Sequence, residues 1–361
     1  MRVLALDSGS SSLKYALFDM PAERRIDAAT LDAPSVQAQR SAVHDALARM
    51  RAQGRLPDAI GHRVVFGGLR HSKPERVDGA LLDDLERLCE IDSVHMPAAL
   101  ATIRAAQDAV PGAPAVVCFD SAFHHGMPEL AHRYPLPSSI DPAIRRYGYH
   151  GLSYEYVVAT LGLHGPAIIA HLGSGASMAA TRDGRPVDTT MGFTPLGGMM
   201  MGTRPGDLDP GVLLYLLGTA AYTPAALSEL LHDHSGLRGV SGSTADMRKL
   251  LQRAPQDRAA QTAIDLFVYD AAKQLGGLVT VLGGLDTLVF TGGIGENAWQ
   301  IRKGICDMCA YLGVVVDPVR NEEHADVISQ ERSRVTVRVV KTDESLMIAR
   351  HVVATLSDTS S

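Results

Sequence analysis

Apolar and polar positions along this chain follow two periods. Short apolar or alternating runs predict strands, and runs repeating near every 3.6 residues predict helices. Val3-Leu-Ala-Leu leads through Asp7 into a tight bend, Ser8-Gly9-Ser10-Ser11-Ser12, and the alternating stretch Tyr15 to Phe18 reads as a second strand. Residues 1–20 therefore predict a β-hairpin. The same grammar returns as Ala167-Ile-Ile-Ala-His171-Leu172-Gly173-Ser174-Gly175-Ala176-Ser177-Met178, followed by the alternating Ala179 to Arg182, within a predicted hairpin over 166–189. A strand–turn–strand of this kind exposes backbone N–H groups and hydroxyls around a concave bend, which suits phosphate oxygens. Two copies imply two related halves.

Between the hairpins, Val36, Val43, Leu47 and Met50 mark a helix over 36–52. Residues 59–65 read as a strand entering a Gly67-Gly68 turn, and helices follow near 79–91 and 97–109. Ala115 to Phe119 is a buried type of strand that delivers Asp120 at its C-terminal end, where α/β sheets bind ligands. Residues 128–142, with four prolines, read as a loop. The second half opens near His150. Beyond its hairpin come a glycine- and methionine-rich loop over 192–206 and helices near 209–218 and 224–232. Residues 256–283 are apolar on nearly every face and predict a buried central helix. A strand over 286–291 ends in Gly292-Gly293-Ile294-Gly295-Glu296-Asn297. A helical stretch over 299–312, a strand over 335–340 and a last helix opened by Thr342 or Asp343 complete the chain. Strands mixed with crossover helices indicate an α/β fold in two halves.

Composition narrows the partners. The 361 residues are 46% hydrophobic, enough for sizeable cores, and carry a net charge of −6. That balance argues against nucleic acid or an anionic membrane as the main partner. An anionic substrate must then be drawn by local arginines. The four cysteines include Cys306-x-x-Cys309, but there is no second pair, so they read as ordinary thiols of a reducing compartment. The first apolar run ends at Asp7, unlike a signal peptide, and no run approaches the roughly 18 residues of a membrane span. The expected location is the cytoplasm.

Four glycine turns end strands, at Gly9, Gly67-Gly68, Gly173-Gly175 and Gly292-Gly295. None matches the phosphate loop ending in Gly-Lys-Ser/Thr or the dinucleotide fingerprint. Arg63 and Arg204 sit beside such turns. Phosphoryl transfer spreads charge over three equatorial oxygens, which a pair of guanidinium forks suits well. Asp7, Asp120 and Glu344 are the carboxylates that could hold Mg²⁺, an ion that keeps several waters and takes one or two protein carboxylates beside phosphates. Glu344 alternatively reads as an acid favoured at a helix N-terminus. His150 and His171 stand beside glycines, with His95, His124 and His125 as further candidates. The run Met199-Met200-Met201 reads as packing or a hinge.

With these residues in view, the chain resembles the acetate kinase family, including its propionate and butyrate kinases. The likeness runs from residue 3 to about residue 351. It is carried by Asp7-Ser-Gly-Ser-Ser-Ser-Leu-Lys14, Gly61-His-Arg-Val-Val65, Cys118-Phe-Asp-Ser-Ala-Phe-His124 and Arg146-Tyr-Gly-Tyr-His-Gly151. It continues through His171-Leu-Gly-Ser-Gly-Ala-Ser177, Asp188-Thr-Thr-Met-Gly-Phe-Thr-Pro-Leu196 and Met201-Gly-Thr-Arg-Pro-Gly-Asp207. Phe290-Thr-Gly-Gly-Ile-Gly-Glu-Asn297 and Thr342-Asp-Glu-Ser-Leu-Met-Ile-Ala-Arg350 close the set.

The resemblance implies two actin-like ATPase (ribonuclease H-like) domains with an interdomain active-site cleft that closes to exclude water. The first would span 1–149 plus a returning helix over 345–361, and the second, nucleotide-binding, would span 150–344. It implies reversible Mg²⁺-dependent transfer from ATP to acetate, giving acetyl phosphate and ADP, with Mn²⁺ as the alternative ion, in a cytoplasmic homodimer. By position, Arg63 and Arg204 would bind the carboxylate and the transferring group, and His150 would stabilise the transition state. Asp120 and Glu344, with Asp7 beside them, would place the metal. Ser10, Ser12 and Lys14, with His171, Leu172, Gly173, Ser174 and Gly175, would line the phosphate path. Asp246, Met247 and Arg248, with Gly293, Ile294, Gly295 and Asn297, would hold the nucleotide. Val65, Val94, Tyr149 and Pro195 would enclose the acyl group.

The chain departs from the family's usual asparagine at Asp7 and Ser174, from phenylalanine at Tyr149 and from leucine at Val94. Val94 loosens the acyl pocket and Tyr149 crowds it, so propionate or butyrate stays open beside acetate. Pyrophosphate as donor is a second alternative, against which the nucleotide residues Asp246, Arg248 and 293–297 speak. A non-enzymatic actin-like module is a third, against which the paired Arg63 and Arg204 speak.

Overall fold

The two hairpins nucleate two sheets of shared strand order. The structure is a computed structural model that describes residues 1–9, 12–92, 95–219 and 221–358. Its strands in chain order are β1 (Arg2–Ser8), β2 (Ser12–Asp19), β3 (Arg24–Asp32), β4 (Ala59–Val64), β5 (Glu75–Arg76), β6 (Ala115–Phe119), β7 (Pro166–Leu172), β8 (Ala176–Arg182), β9 (Arg185–Thr189), β10 (Thr287–Thr291) and β11 (Thr336–Val339). Helices of the first stretch are α1 (Val36–Ala52), α2 (Gly79–Leu88), α3 (Met96–Ala109), α4 (Glu129–His132) and α5 (Gly151–Leu161). The later ones are α6 (Pro210–Gly218), α7 (Pro224–Asp233), α8 (Gly236–Ser241), α9 (Met247–Arg253), α10 (Arg258–Leu282), α11 (Gly292–Asn297), α12 (Trp299–Met308), α13 (Pro318–Glu322) and α14 (Glu344–Asp358).

The chain divides into two compact units. Unit 1 holds Met1–His125, Tyr149–Tyr156 and Asp343–Ser361; unit 2 holds Gly126–Gly148 and Val157–Thr342. Residues 126–148 group with unit 2 for a specific reason. Arg146 Nη1 donates to the Thr190 carbonyl at 3.0 Å. The Tyr134 hydroxyl accepts from the Phe193 N–H at 2.8 Å, and the Tyr147 N–H donates to the Gly192 carbonyl at 3.0 Å.

In unit 1 the strand order is β3-β2-β1-β4-β6-β5, and in unit 2 it is β9-β8-β7-β10-β11. Each sheet has three consecutive antiparallel strands. Two further strands then lie parallel to the first strand of its hairpin. The doubled turn of the sequence is thus the local sign of a doubled topology.

Alternation along β1 sends Leu4 and Leu6 to one face of the unit 1 sheet and Val3 and Ala5 to the other. The first face packs on α1 and α3 through Val43, Leu47 and Ala105. The second packs on α14 through Ile348 and Val352, both fully buried. Burial of each such side chain contributes about 1.5–3 kcal/mol. Gly61 in β4 makes this docking feasible, since a Cβ there would lie 2.4 Å from Ile348 Cγ2 and 2.7 Å from Val352 Cγ2.

Two expectations are corrected, and one strand is added. Helix α10 is not buried all round. Ile264, Phe267, Leu275 and Leu282 face the core, whereas Leu266, Tyr269 and Val281 are exposed. The proline-rich loop over 128–142 contains the short helix α4. Strand β3, which the sequence pattern does not predict, pairs with β2 over its whole length. Its residues are mostly partly or fully exposed, so charged and apolar positions mix and the strand period is lost.

Candidate active site

Parallel register gathers the unit 1 site. On β1 and β4, Asp7 stands opposite Arg63. On β4 and β6, Arg63 stands opposite Cys118, so Asp120 follows two residues further at the same sheet end. Asp120 is tied there by its N–H, which donates to the Val64 carbonyl at 2.9 Å. Three neighbouring strands thus deliver Asp7, Arg63 and Asp120 at their C-terminal ends, the edge at which parallel sheets bind ligands.

The guanidinium of Arg63 is held between two carboxylates. Its Nη1 donates to Asp7 Oδ1 at 2.9 Å. Its Nε donates to Asp120 Oδ2 at 2.8 Å, and Nη2 donates to the same oxygen. A guanidinium has five donors. Among the described residues nothing else accepts from it, so one N–H on each Nη is left for a ligand anion, and carboxylates and phosphoryl oxygens accept such planar donors. Lys14, opposite Asp7 on β2, approaches its Oδ2 at 3.9 Å.

Charge and burial set the protonation of this group. Burial works against the Arg63 charge, but Asp120, Asp7 and Glu344 outweigh it and hold the guanidinium well above its usual pKa. Burial also pushes Asp7 up, yet Arg63 and Lys14 outweigh that and leave it lowered. Asp120 is 1% exposed, and burial pushes it up to about 6 against the pull of Arg63. Glu344, the first residue of α14, is likewise raised by burial.

Three carboxylates thus face two cations. Asp120 Oδ1 is buried without a hydrogen-bond partner among the described residues. An orphaned carboxylate oxygen in a surplus of negative charge, with an all-oxygen donor set, fits a hard divalent cation. Among the described residues no three His, Cys, Asp or Glu side chains converge as a metal cage. That matches an ion held by one or two carboxylates and completed by phosphate and water.

Around Asp120 the backbone is constrained. The Gly151 N–H donates to the Asp120 carbonyl at 2.9 Å. A Cβ at Gly151 would meet that oxygen at 2.2 Å, so only glycine allows the approach. The residue before it, His150, has φ 61, a left-handed conformation unusual for a bulky side chain. The ring of the buried His124 donates through Nε2 to the Tyr149 carbonyl at 3.0 Å and steadies the same segment. Tyr149 is buried, as is Val65. Ser10 and Val94 lie outside the described residues.

Unit 2 assembles its own set. His171 and Leu172 end β7, with His171 opposite both Thr291 on β10 and Ser177 on β8. The β7–β8 turn is closed by the Gly173 N–H to the Gly175 carbonyl at 3.1 Å, and the Ser174 carbonyl accepts from the Gly202 N–H at 2.9 Å. Arg204 Nη1 donates to the Pro195 carbonyl at 2.8 Å, so these two candidates are neighbours. Asp246 caps α9, accepting from the Arg248 N–H at 2.9 Å and pairing with its guanidinium at 3.2 Å. Met247 opens α9 and is buried. Gly293, Ile294 and Gly295 form α11, where Asn297 Nδ2 donates back to the Gly293 carbonyl at 2.9 Å.

One residue of this region escaped the sequence reading. Arg302 in α12 is fully buried, and among the described residues no carboxylate is hydrogen-bonded to it. Its donors go to the Gly295 and Glu296 carbonyls at 2.8 and 2.9 Å, to Asn321 and to His324. Burial lowers its pKa to about 10. Its only signal in sequence is a charge placed among Ile301, Ile305 and Cys306 on the core side of a helix.

Comparison with known proteins decides the family. The model of the acetokinase family matches residues 2–350. The chain belongs to the acetokinase family. An acetate kinase of Nitrobacter hamburgensis is 46% identical over 312 residues, covering 84% of this chain and 77% of that protein. The crystal structure of Porphyromonas gingivalis acetate kinase matches with a TM-score of 0.88 at 35% identity, over 98% of this chain and 99% of the other. A propionate kinase from Francisella tularensis matches with a TM-score of 0.90 at 33% identity, over 98% and 99%. This acetokinase is therefore a phosphotransferase with a carboxylate acceptor, built on the two-domain actin-like fold.

Proposed function

We propose that this acetokinase transfers the γ-phosphoryl group of ATP reversibly to acetate, giving acetyl phosphate and ADP, with Mg²⁺ as the metal ion. The observation that carries the reading is Arg63, clamped by Asp7 and Asp120 and left with an open fork. Acetate is already ionised at neutral pH and is its own nucleophile, so no strong general base is needed. Catalysis then rests on positioning and on neutralising charge at the phosphoryl oxygens.

In this reading the free Arg63 N–H groups orient the acetate carboxylate and the phosphoryl group. Arg204, steadied by the Pro195 carbonyl, adds a second guanidinium. His150, in its left-handed conformation, presents its ring to an equatorial oxygen. Ser10, Ser12, Lys14 and the 171–175 turn line the phosphates. Asp246, Met247, Arg248 and Gly293 to Asn297 hold the nucleotide in unit 2, whose span we take as the nucleotide-binding domain. Val65, Val94, Tyr149 and Pro195 enclose the methyl group. Asp120 would hold Mg²⁺ directly, with Asp7 and Glu344 supplying negative charge beside it, Glu344 through water. The ion supplies charge neutralisation on the phosphate oxygens.

Two further assignments belong to the same reading. The free thiols of Cys89, Cys118, Cys306 and Cys309 support a reducing, cytoplasmic setting. Helix α6 is apolar yet has no buried residue, with Leu214 and Tyr215 each 70% exposed, which supports a homodimer. No helix among the described residues is long and apolar enough to cross a membrane.

Propionate is the second reading, favoured by the Francisella tularensis match. The test is kcat/KM for acetate, propionate and butyrate with Mg-ATP, reading acyl phosphate as hydroxamate. The expected order puts acetate first. Propionate first would assign the second reading, and no product from any of the three would overturn both.

A further inference from the structure

A turn made of glycine and serine does not hold its own shape. Such residues lose much conformational freedom on ordering, so an outside contact must fix the bend. Across the β1–β2 turn the described backbone makes one hydrogen bond, from the Gly9 N–H to the Ser12 carbonyl at 2.8 Å.

The outside contact is Gln39. It lies in the first turns of α1, whose N-cap Ser35 accepts from the Ala38 N–H at 3.2 Å. The side chain is 1% exposed. Its Nε2 donates to the Gly9 carbonyl at 3.0 Å, the Ser12 carbonyl at 3.2 Å and the Ala33 carbonyl at 3.0 Å. Three carbonyls share two amide hydrogens. The opposite amide orientation would aim Oε1 at three other oxygens, so the network fixes which atom faces the turn. Oε1 itself is buried with no hydrogen-bond partner among the described residues. Leaving an acceptor buried and unmatched costs stability. The site therefore keeps an amide for its donors, at a position where an apolar side chain would avoid that cost.

We propose that Gln39 is a positioning residue for phosphoryl transfer, clasping both ends of the β1–β2 turn. Holding the Gly9 and Ser12 carbonyls toward α1 fixes the backbone at both described ends of the turn, and so fixes where Ser12 and the following strand with Lys14 stand. The third bond, to Ala33, joins the same amide to the β3–α1 connection, so α1, β3 and the turn are set by one group. This rests on the reading above that the turn contacts the phosphates.

The experiment compares Gln39→Met with two variants of the turn itself, Ser12→Ala and Lys14→Ala. The readouts are kcat, KM for ATP, KM for acetate, the melting temperature and amide hydrogen exchange of the peptide spanning residues 5–15. Gln39→Met removes the donors and keeps the volume. It is expected to raise KM for ATP and the exchange rate of that peptide by about tenfold each, while KM for acetate stays within about twofold. A lower melting temperature with wild-type kcat and KM for ATP would overturn the proposal and leave Gln39 purely structural. Should Gln39→Met not fold, Gln39→Asn keeps an amide that falls one methylene short. It must shift KM for ATP the same way, and wild-type values would overturn the proposal equally. If Ser12→Ala and Lys14→Ala raise KM for ATP while the Gln39 variants do not, the clasp alone fails. If all four match wild type, the phosphate reading of the turn fails and the clasp with it.

Discussion

Asp120 accepts from Arg63 through one oxygen only. Nε and Nη2 both donate to Oδ2, while Oδ1 is buried with no hydrogen-bond partner among the described residues. A buried acceptor left unmatched costs on the order of 1–3 kcal/mol. Such a cost at the end of a ligand-binding sheet is what a cation would relieve. The same pairing orients Arg63, because a guanidinium held on Nε and both Nη atoms cannot rotate away from the carboxylates that frame it.

Replacing Arg63 by lysine should separate charge from shape. Lysine keeps the positive charge but cannot span Asp7 and Asp120 while offering a fork to substrate. Turnover of Arg63→Lys is expected to fall by about a hundredfold or more, with KM for acetate raised. Arg63→Ala should in addition destabilise the fold by about 3–5 kcal/mol, since two buried carboxylates lose their counter-charge. Turnover of the lysine variant within about threefold of wild type would remove the fork from the mechanism.

Asp7→Asn keeps an acceptor for Arg63 Nη1 and removes one negative charge. The surplus that favours a cation then shrinks. The Mg²⁺ concentration giving half-maximal rate should change several-fold, and the acetate-to-propionate ratio should not. The check is a Mg²⁺ titration at saturating ATP and acetate. An unchanged Mg²⁺ requirement refutes the role given to Asp7.

His62, the neighbour of Arg63 on β4, predicts the pH dependence of stability. It is 1% exposed, neither ring nitrogen has a hydrogen-bond partner among the described residues, and burial lowers its pKa to about 3. A histidine near its ordinary 6.5 in the unfolded chain binds its proton there first. The folded state therefore loses stability as pH falls below about 6.5 and continues to lose it towards about 3. Between pH 7 and pH 5 the loss from this residue is on the order of 2 kcal/mol. Urea midpoints of wild type should fall across that interval, and those of His62→Met should fall less. Parallel pH profiles for the two proteins would contradict this.

Arg302 should matter to unit 2 without touching chemistry directly. Arg302→Lys keeps the charge but cannot reach Gly295, Glu296, Asn321 and His324 together. Buried carbonyls would lose their donors, at about 2–4 kcal/mol in unfolding free energy. KM for ATP should rise more than KM for acetate, because Gly295 belongs to the nucleotide set proposed above. Unfolding curves superimposed on wild type would show that the four partners are satisfied otherwise.

Much of the scaffold was readable in local pattern. The two hairpins, the helix over 36–52 and the strand that carries Asp120 each have a period confined to a few neighbours. The glycine turns were legible as clusters of turn-forming residues between those elements. Strand β3 and helix α5 escaped because their patterns blend exposed and buried positions. Helix α10 misled because Leu266, Tyr269 and Val281 are apolar yet exposed.

The sequence by itself determined the doubled strand–turn–strand plan, the residue types at the ends of its strands, including Asp7, Arg63 and Asp120, and the acid Glu344 that opens the last helix. Only the tertiary structure decided how they meet. Arg63 and Asp120 lie 57 positions apart, and parallel pairing of β4 with β6 is what brings their side chains into contact. In the same way Gly61 becomes meaningful only once α14 lies on it, and Gln39 only once α1 packs beside the turn. Periodicity records the faces of single elements. The partners of a buried polar group are set by strand register and helix packing, which no local stretch of chain contains.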